Sequence, residues 1–296
     1  MKVTWLPDVE PRPRHVAVGE FDGVHLGHRE VIAGADTVLT FEPHPRAVVA
    51  PDAAPKLLTS LDIKTDLIAG LGVRELVVIP FDRSFAAQEA QAFIDSVLVE
   101  QLRAERVSVG ENFRFGHKAK GDADLLRRQD AFEASVVPLV EVDGEIVSST
   151  HIRGLVVAGD FEQANRFLGS PFQLRGTVVH GDERGRELGY PTANLVPDNA
   201  LVYPGNGVYA CRAAFEDDGE WRWWPAATNV GVRPTFVTGR GVLIEAFLLD
   251  FDGDLYDREL RIAFLARLRG ERRFDTVDGL VEQMHRDVED ARAIAA

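Results

Sequence analysis

The sequence predicts two domains of different class, an α/β domain on a parallel sheet followed by an antiparallel β-barrel with a C-terminal helix. Three observations carry this. At 296 residues the chain exceeds the size at which one hydrophobic core stops growing, so it divides into domains. Its first half alternates unbroken apolar runs with helical periodicity, as strands buried on both faces do. From Phe172 onward the runs are short and turn-separated, and Leu260, Ile262 and Phe264 alternate with Arg261 and Ala263, as in a sheet with one buried face. The boundary falls between residues 154 and 172, giving domains 1–170 and 171–296. There Asp160 caps a short helix with Phe161, Ala164 and Leu168 on one face, Gly169 ends it and Pro171 bars its continuation.

The first predicted strand, Val16-Ala17-Val18, runs into Gly19-Glu20-Phe21-Asp22-Gly23-Val24-His25-Leu26-Gly27-His28. Unpaired N–H groups and the positive end of the macrodipole make a helix start an anion site, and glycines let backbone approach a phosphate. Imidazoles add donors that follow developing charge. A glycine-rich strand-to-helix turn is by itself as compatible with a purely structural role; the paired histidines beside Asp22 favour the phosphate. Only eleven residues, Arg29 to Leu39, separate His28 from Thr40. A helix of about two turns ending at Gly34 is therefore expected, with thin cover for that sheet face.

Thr37–Phe41 is the next strand, stopped by Pro43 and Pro45, which aim His44 between them. Leu67, Ile68 and Leu71 form a helical stripe ahead of strand Leu76–Ile79. Phe93, Ile94, Val97, Leu98 and Leu102 predict a helix over 86–103, and Arg106–Val109 and Val136–Val140 two more strands. Ligands of such sheets bind at strand C-terminal ends, where His25, His28, His44 and the loop 110–116 with Asn112 all fall. Asn112 and its flanking aromatics equally suit a turn packed on the core. Ser148, Ser149 and Thr150 are good N-caps in any protein.

In the second half, strands are expected at Gln173–Val179, Val208–Ala214, Trp221–Thr228, Val242–Leu249 and Leu260–Phe264, separated by turns such as Asp217-Asp218-Gly219. Five or six antiparallel strands make a small closed barrel. A last helix, capped by Asp275 and carrying Val277, Leu280, Val281, Met284, Val288 and Ala291 on one face, packs over it. The loop from Gly181 to Asn194, with Gly185, Arg186 and Gly189 ahead of Pro191 and Thr192, can cradle phosphates or be a solvated surface loop. Glu245 interrupts an apolar strand, where a carboxylate without a role is costly, although alternation also allows it to face solvent.

A net charge of −14 argues against nonspecific binding to nucleic acid or anionic membranes, which requires a basic surface. No apolar run reaches membrane-spanning length, and Met1–His15 has no secretory h-region. The single cysteine, Cys211, excludes an internal disulfide and reads as a small buried hydrophobe. A cytoplasmic protein with small-molecule partners, a monomer or weak homo-oligomer, is expected.

The decapeptide from Gly19 to His28 resembles the G-x-F-D-G-x-H-x-G-H signature of bacterial FAD synthetases, in the nucleotidylyltransferase group. Gly19, Phe21, Asp22, Gly23, His25, Gly27 and His28 match together. The resemblance implies a Rossmann-like sheet on which His25 and His28 hold ATP phosphates while pyrophosphate is displaced at the α-phosphorus. Thr40 to Pro45 resembles the TFDPHP segment, with Glu42 for Asp, and sets His44 near ATP. Gly110 to Gly116 resembles G-x-[DN]-F-x-F-G, which puts Asn112 on the FMN side. Ser148 to Arg153 resembles SSTxIR, which gives Ser149, Thr150 and Arg153 ATP phosphates to grip.

Gly185 to Asn194 resembles the riboflavin kinase signature G-R-x-L-G-x-P-T-A-N. That implies a riboflavin kinase-like barrel in which Gly185, Arg186 and Gly189 serve the nucleotide and Thr192 and Asn194 place Mg²⁺. Glu245 matches the glutamate of E-x-H-L-L-D-F, the base for riboflavin, with Phe247 where the family has His. Asn229 to Phe236 matches N-I-G-x-R-P-T-F, read first as a structural turn. A bifunctional enzyme is implied, with ATP as co-substrate and riboflavin, FMN and FAD as substrates and products. A flavin-binding protein without turnover is disfavoured by the intact His25, His28, Thr192 and Glu245. An adenylyltransferase for another acceptor leaves the second motif set unexplained.

Overall fold

The computed structural model describes residues 1–181, 189–235 and 239–295. They form two compact units, Met1–Ser149 and Thr150–Ala296.

The first unit is a parallel sheet of six strands among the described residues: β1 (Lys2–Trp5), β2 (Arg14–Val18), β3 (Thr37–Glu42), β4 (Glu75–Pro80), β5 (Ala104–Gly110) and β6 (Glu133–Val137), in the order β1-β4-β3-β2-β5-β6. Successive side chains enter opposite cores, as the pleat requires. Val16, Val18, Leu39, Val77 and Ile79 pack with Phe93, Ile94, Val97 and Leu98. Ala17, Val38, Leu76 and Val78 pack with Val31, Ile32 and Ile68. Strand β1 escapes the sequence pattern because it is an edge strand with Val3 and Trp5 exposed.

Helix α1 (Leu26–Ile32) is two turns long, and Gly34, at φ +77°, follows it as expected. The thin cover expected over this sheet face does not materialise: Ala17, Val38, Leu76 and Val78 are fully buried, because Val31 and Ile32 are joined there by Ile68 from a later helix. Helix α2 (Pro45–Val49) follows His44, and α3 spans Leu61–Ala69. The helix expected over 86–103 begins only at Ala90; α4 runs Ala90–Phe93 and continues to Gln101 as a π-helix. Its start abuts the 110–117 loop: His117 N–H donates to the Gln88 carbonyl, and a Cβ on Gly116 would lie 2.6 Å from Ala90 Cα. The strand expected at 136–140 ends at Val137, because Pro138 follows and β5 sets the register from Arg106↔Glu133 to Gly110↔Val137.

The second unit begins within helix α5 (Ser149–Ala158), followed by α6 (Phe161–Leu168). Asp160 caps α6 and Gly169 ends it at φ +70°, as predicted. Contacts nevertheless group these helices with the barrel rather than the sheet: Phe161 stacks on Phe264 at 5.0 Å, and the Asn165 amide donates to the Phe264 carbonyl at 2.8 Å. The barrel strands are β7 (Phe172–Val179), β8 (Ala193–Leu195), β9 (Gly207–Asp217), β10 (Glu220–Thr235), β11 (Gly239–Leu248) and β12 (Glu259–Arg269). They close in the order β7-β8-β11-β10-β9-β12, all antiparallel. The three-residue β8, hidden inside a glycine-rich motif, is not visible as a strand in the sequence.

Helix α7 (Val277–Ala295) packs on β9, β10 and β12. Thr276, not Asp275, caps it, its hydroxyl accepting the Gly279 N–H at 3.1 Å. Val277 is exposed, because the helix is anchored lower down, where buried Asp287 receives the Arg269 guanidinium at 2.7 Å.

Candidate active sites

After β2 the chain makes a turn with Phe21 at φ +49°, Gly23 at +88° and Val24 at +43°. Left-handed backbone costs a non-glycine residue about 1–2 kcal/mol, and a β-branched valine there is exceptional. The turn is held from several sides. Asp22 Oδ1 accepts the N–H groups of Leu58 at 2.8 Å and Thr59 at 3.1 Å, and Thr59 Oγ1 accepts the Gly23 N–H. Arg29 Nε donates to the Val24 carbonyl, and Ser149 Oγ to the Asp22 carbonyl. A Cβ on Gly19 would meet the Phe21 ring at 2.9 Å. Gly19, Phe21, Asp22 and Gly23 therefore shape the turn from inside; the Asp22 carboxylate is spent on backbone of the segment before α3.

His25 is the N-cap of α1: its Nδ1 accepts the His28 N–H at 3.2 Å. A neutral His25 consequently carries its proton on Nε2. The His28 ring stacks on that of His25, centroids 3.5 Å apart, and meets Phe21 edge-on at 5.4 Å. Burial, then the charges of His25 and Lys64, hold His28 well below the ordinary imidazole range, so it is neutral near pH 7. Its Nδ1 is buried and has no hydrogen-bond partner among the described residues. A native orphan of this kind calls for a ligand or a mechanism.

His44, expected near ATP, has both ring nitrogens engaged: Nδ1 accepts the Arg46 N–H at 3.1 Å, and Nε2 lies 2.8 Å from the Glu20 carboxylate. Burial pushes Glu20 up, but His44, Lys64 and Arg46 outweigh it and hold the carboxyl below its usual range. Asn112, past the end of β5, is exposed. Thr150 is exposed and Arg153 half-buried, both on α5 in the second unit.

In the barrel, β8, β11 and β10 lie side by side, so Asn194, Glu245 and Asn229 form one cross-strand row. Asn229 Nδ2 donates to Glu245 Oε2 at 3.1 Å. Ile244, Ala246 and Leu248 are buried while Glu245 and Phe247 are half-buried, so the glutamate is on the outer face of the pleat. Asn194 is buried, and a Cβ on Gly181 would fall 2.4 Å from its Nδ2. Gly189 turns at φ +87° ahead of Tyr190. Tyr190 OH bonds His285 Nδ1 at 2.7 Å and its ring meets Phe247 edge-on at 5.3 Å. Phe247, in the place of the motif histidine, is thus an aromatic neighbour of the Thr192 loop. Gly185 and Arg186 lie outside the described residues. Cys211 is fully buried, its thiol pushed up to about 12 by desolvation, which fits the inert role read from the sequence.

Several participants were not legible beforehand. Thr59, Glu20 and Lys64 carry no motif, and Tyr190 and His285 meet only through the fold. Asn229 had a signal, its motif, but was read as structural.

Stacked histidines at a helix start on a parallel sheet stand in one chain with a barrel that lines a glutamate up between two asparagines, and comparison with known proteins gives the class of two-domain enzyme to which such a chain belongs. A family model described as FAD synthetase matches residues 8–151, and one described as Riboflavin kinase matches 168–295. The chain is 37% identical to the bifunctional riboflavin kinase/FMN adenylyltransferase of Pseudomonas fluorescens over 96% of this chain and 95% of that one. It is 39% identical to the protein of the same name from Escherichia coli K12, over 94% and 91%. A solved chain named Macrolide-efflux Protein, from Streptococcus pneumoniae, superposes with a TM-score of 0.87 at 30% identity, covering 99% of both. The chain belongs to the bifunctional riboflavin kinase/FMN adenylyltransferase family, enzymes of flavin cofactor biosynthesis.

Proposed function

We propose that the two family activities are carried by separate constellations, His25 with His28 for the adenylylation of FMN and Glu245 with Thr192 and Asn194 for the phosphorylation of riboflavin. The observation that carries this is the stacked histidine pair at the start of α1, with a buried Nδ1 that has no partner among the described residues.

In adenylylation, an FMN phosphate oxygen attacks the α-phosphorus of ATP and pyrophosphate leaves. Negative charge grows where the N-terminus of α1 and the two imidazoles converge, and preorganised donors there lower the barrier without reorganising. The His28-to-His25 hydrogen bond keeps the Nε2 proton of His25 in place as a donor. Ser149 is bonded to the Asp22 carbonyl within the first unit; Thr150 and Arg153 are assigned to the phosphates by motif alone, as are Asn112 to FMN and His44 to ATP.

In the kinase reaction, Glu245 accepts the proton of the riboflavin primary hydroxyl as it attacks the γ-phosphorus of a second ATP, and ADP leaves. Asn229 orients the carboxylate. The Thr192 hydroxyl and the Asn194 amide oxygen are donors a hard cation takes, so these two residues would hold Mg²⁺, which would neutralise phosphate charge. The activities divide at about residue 170, in a cytoplasmic enzyme acting on small molecules. Among the described residues no helix is long and apolar enough to cross a membrane. Chromatography of products from riboflavin, ATP and Mg²⁺ tests the reading: FMN and then FAD are expected, and absence of either removes the corresponding site.

A further inference from the structure

Lys64 lies on α3, in the first turn after the Ser60 cap. Lysine on a surface helix keeps its ammonium in water, yet Lys64 is 6% exposed. Its Nζ donates to the Glu20 carbonyl at 2.8 Å, and the same oxygen accepts the hydroxyl of fully buried Thr40 at 3.2 Å. That carbonyl begins the peptide leading into Phe21, the left-handed residue whose ring meets His28 edge-on. Burial holds the ammonium below the ordinary lysine range, and the carboxylates of Asp22, Glu42 and Glu20 oppose that only in part. On the other side Lys64 acts on His28, which also faces His25, while His44 and Arg46 face Glu20. A buried charge is tolerated only where it is paired and bonded; here the bond is to the strained turn itself, and strain persists only where its surroundings over-determine it.

We propose that Lys64 is a positioning residue of the adenylylation site: bonded to the Glu20 carbonyl, it holds the Gly19–Val24 turn in the conformation that sets His28, and it supplies a fixed positive charge beneath the anion site. The inference rests on the adenylylation role given to His25 and His28.

The test uses the full chain with Lys64→Met, Lys64→Arg and Thr40→Val, measuring FAD formation from FMN and ATP beside FMN formation from riboflavin. Lys64→Met is expected to raise the KM for ATP and to lower kcat/KM of adenylylation by about 10- to 100-fold, the scale of a misplaced reacting group. Riboflavin phosphorylation stays within about twofold, and Lys64→Arg restores part of the loss. The acid limb of the adenylylation pH profile moves to higher pH in Lys64→Met, because a cation that opposed protonation of His28 is gone. Thr40→Val, which removes the other donor without changing charge, raises the KM for ATP and leaves the acid limb in place. An unchanged KM and acid limb in Lys64→Met, with activity lost only in proportion to folded protein in a thermal melt, would overturn the proposal. Should Lys64→Met fail to fold, a normal KM for ATP in Thr40→Val overturns it equally. Wild-type protein that forms no FAD from FMN and ATP refutes the adenylylation reading instead, a result separate from any variant.

Discussion

Asp22 matches a nucleotide-binding motif, but its carboxylate is turned inward, and removing it should cost stability before it costs affinity. Oδ1 accepts two buried N–H groups, from Leu58 and Thr59. Deleting a charged acceptor and leaving a buried donor unpaired costs about 1.5–3 kcal/mol per bond. Both bonds share one oxygen, so they are not additive, and Asp22→Ala should lose roughly 3–4 kcal/mol. Asp22→Asn keeps an acceptor oxygen and should lose roughly 1–2 kcal/mol. For a unit of this size each kcal/mol shifts the melting midpoint by about 3 °C, so the alanine variant should lose about 10 °C. The assay is heat challenge at graded temperatures, followed by both activities at 25 °C. The adenylylation midpoint should drop by about 10 °C in Asp22→Ala and less in Asp22→Asn, while the kinase midpoint, from the barrel unit, stays. A normal adenylylation midpoint combined with a raised KM for ATP would refute the reasoning and make Asp22 a nucleotide contact rather than a support of the turn.

Glu245→Gln should lower FMN formation by about 10²- to 10⁴-fold and leave FAD formation from supplied FMN intact; unchanged kinase turnover excludes Glu245 as the base. His28→Ala should lower adenylylation by about 10²- to 10³-fold, so that FMN accumulates from riboflavin, whereas equal loss of both activities points to global misfolding or one shared ATP site. The depressed pKa of His28 has a fixed sign for stability: below its ordinary value of 6.5 the unfolded chain takes up the proton first. The contribution of neutral His28 to the stability of the first unit is therefore fully present above about pH 6.5, falls as pH drops through that value and levels off once folded His28 titrates; urea midpoints of wild type and His28→Phe from pH 7.5 to 5 should converge. Cys211 should resist thiol reagents in native protein and react on unfolding, and rapid native labelling would contradict its burial.

Much of this molecule is local and periodic, and that part was open to inspection in the sequence. Apolar runs without alternation determined a parallel sheet, because a strand covered on both faces has no polar side to display. The alternation of Leu260, Ile262 and Phe264 determined a one-sided sheet, and Gly34, Asp160 and Gly169 determined where helices stop and start. The short stretch after His28 determined a two-turn α1. Tertiary structure decided what no spacing encodes. The register of β6 and the late start of α4 came from neighbours, β5 in one case and the 110–117 loop in the other. Asp22 and Lys64 turned inward because a turn with three left-handed residues needs partners brought in from α3 and the segment before it. Asn194, Glu245 and Asn229 became neighbours only when β8, β11 and β10 paired, since hydrogen-bonded register across long sequence separation is a property of the closed barrel rather than of any one strand.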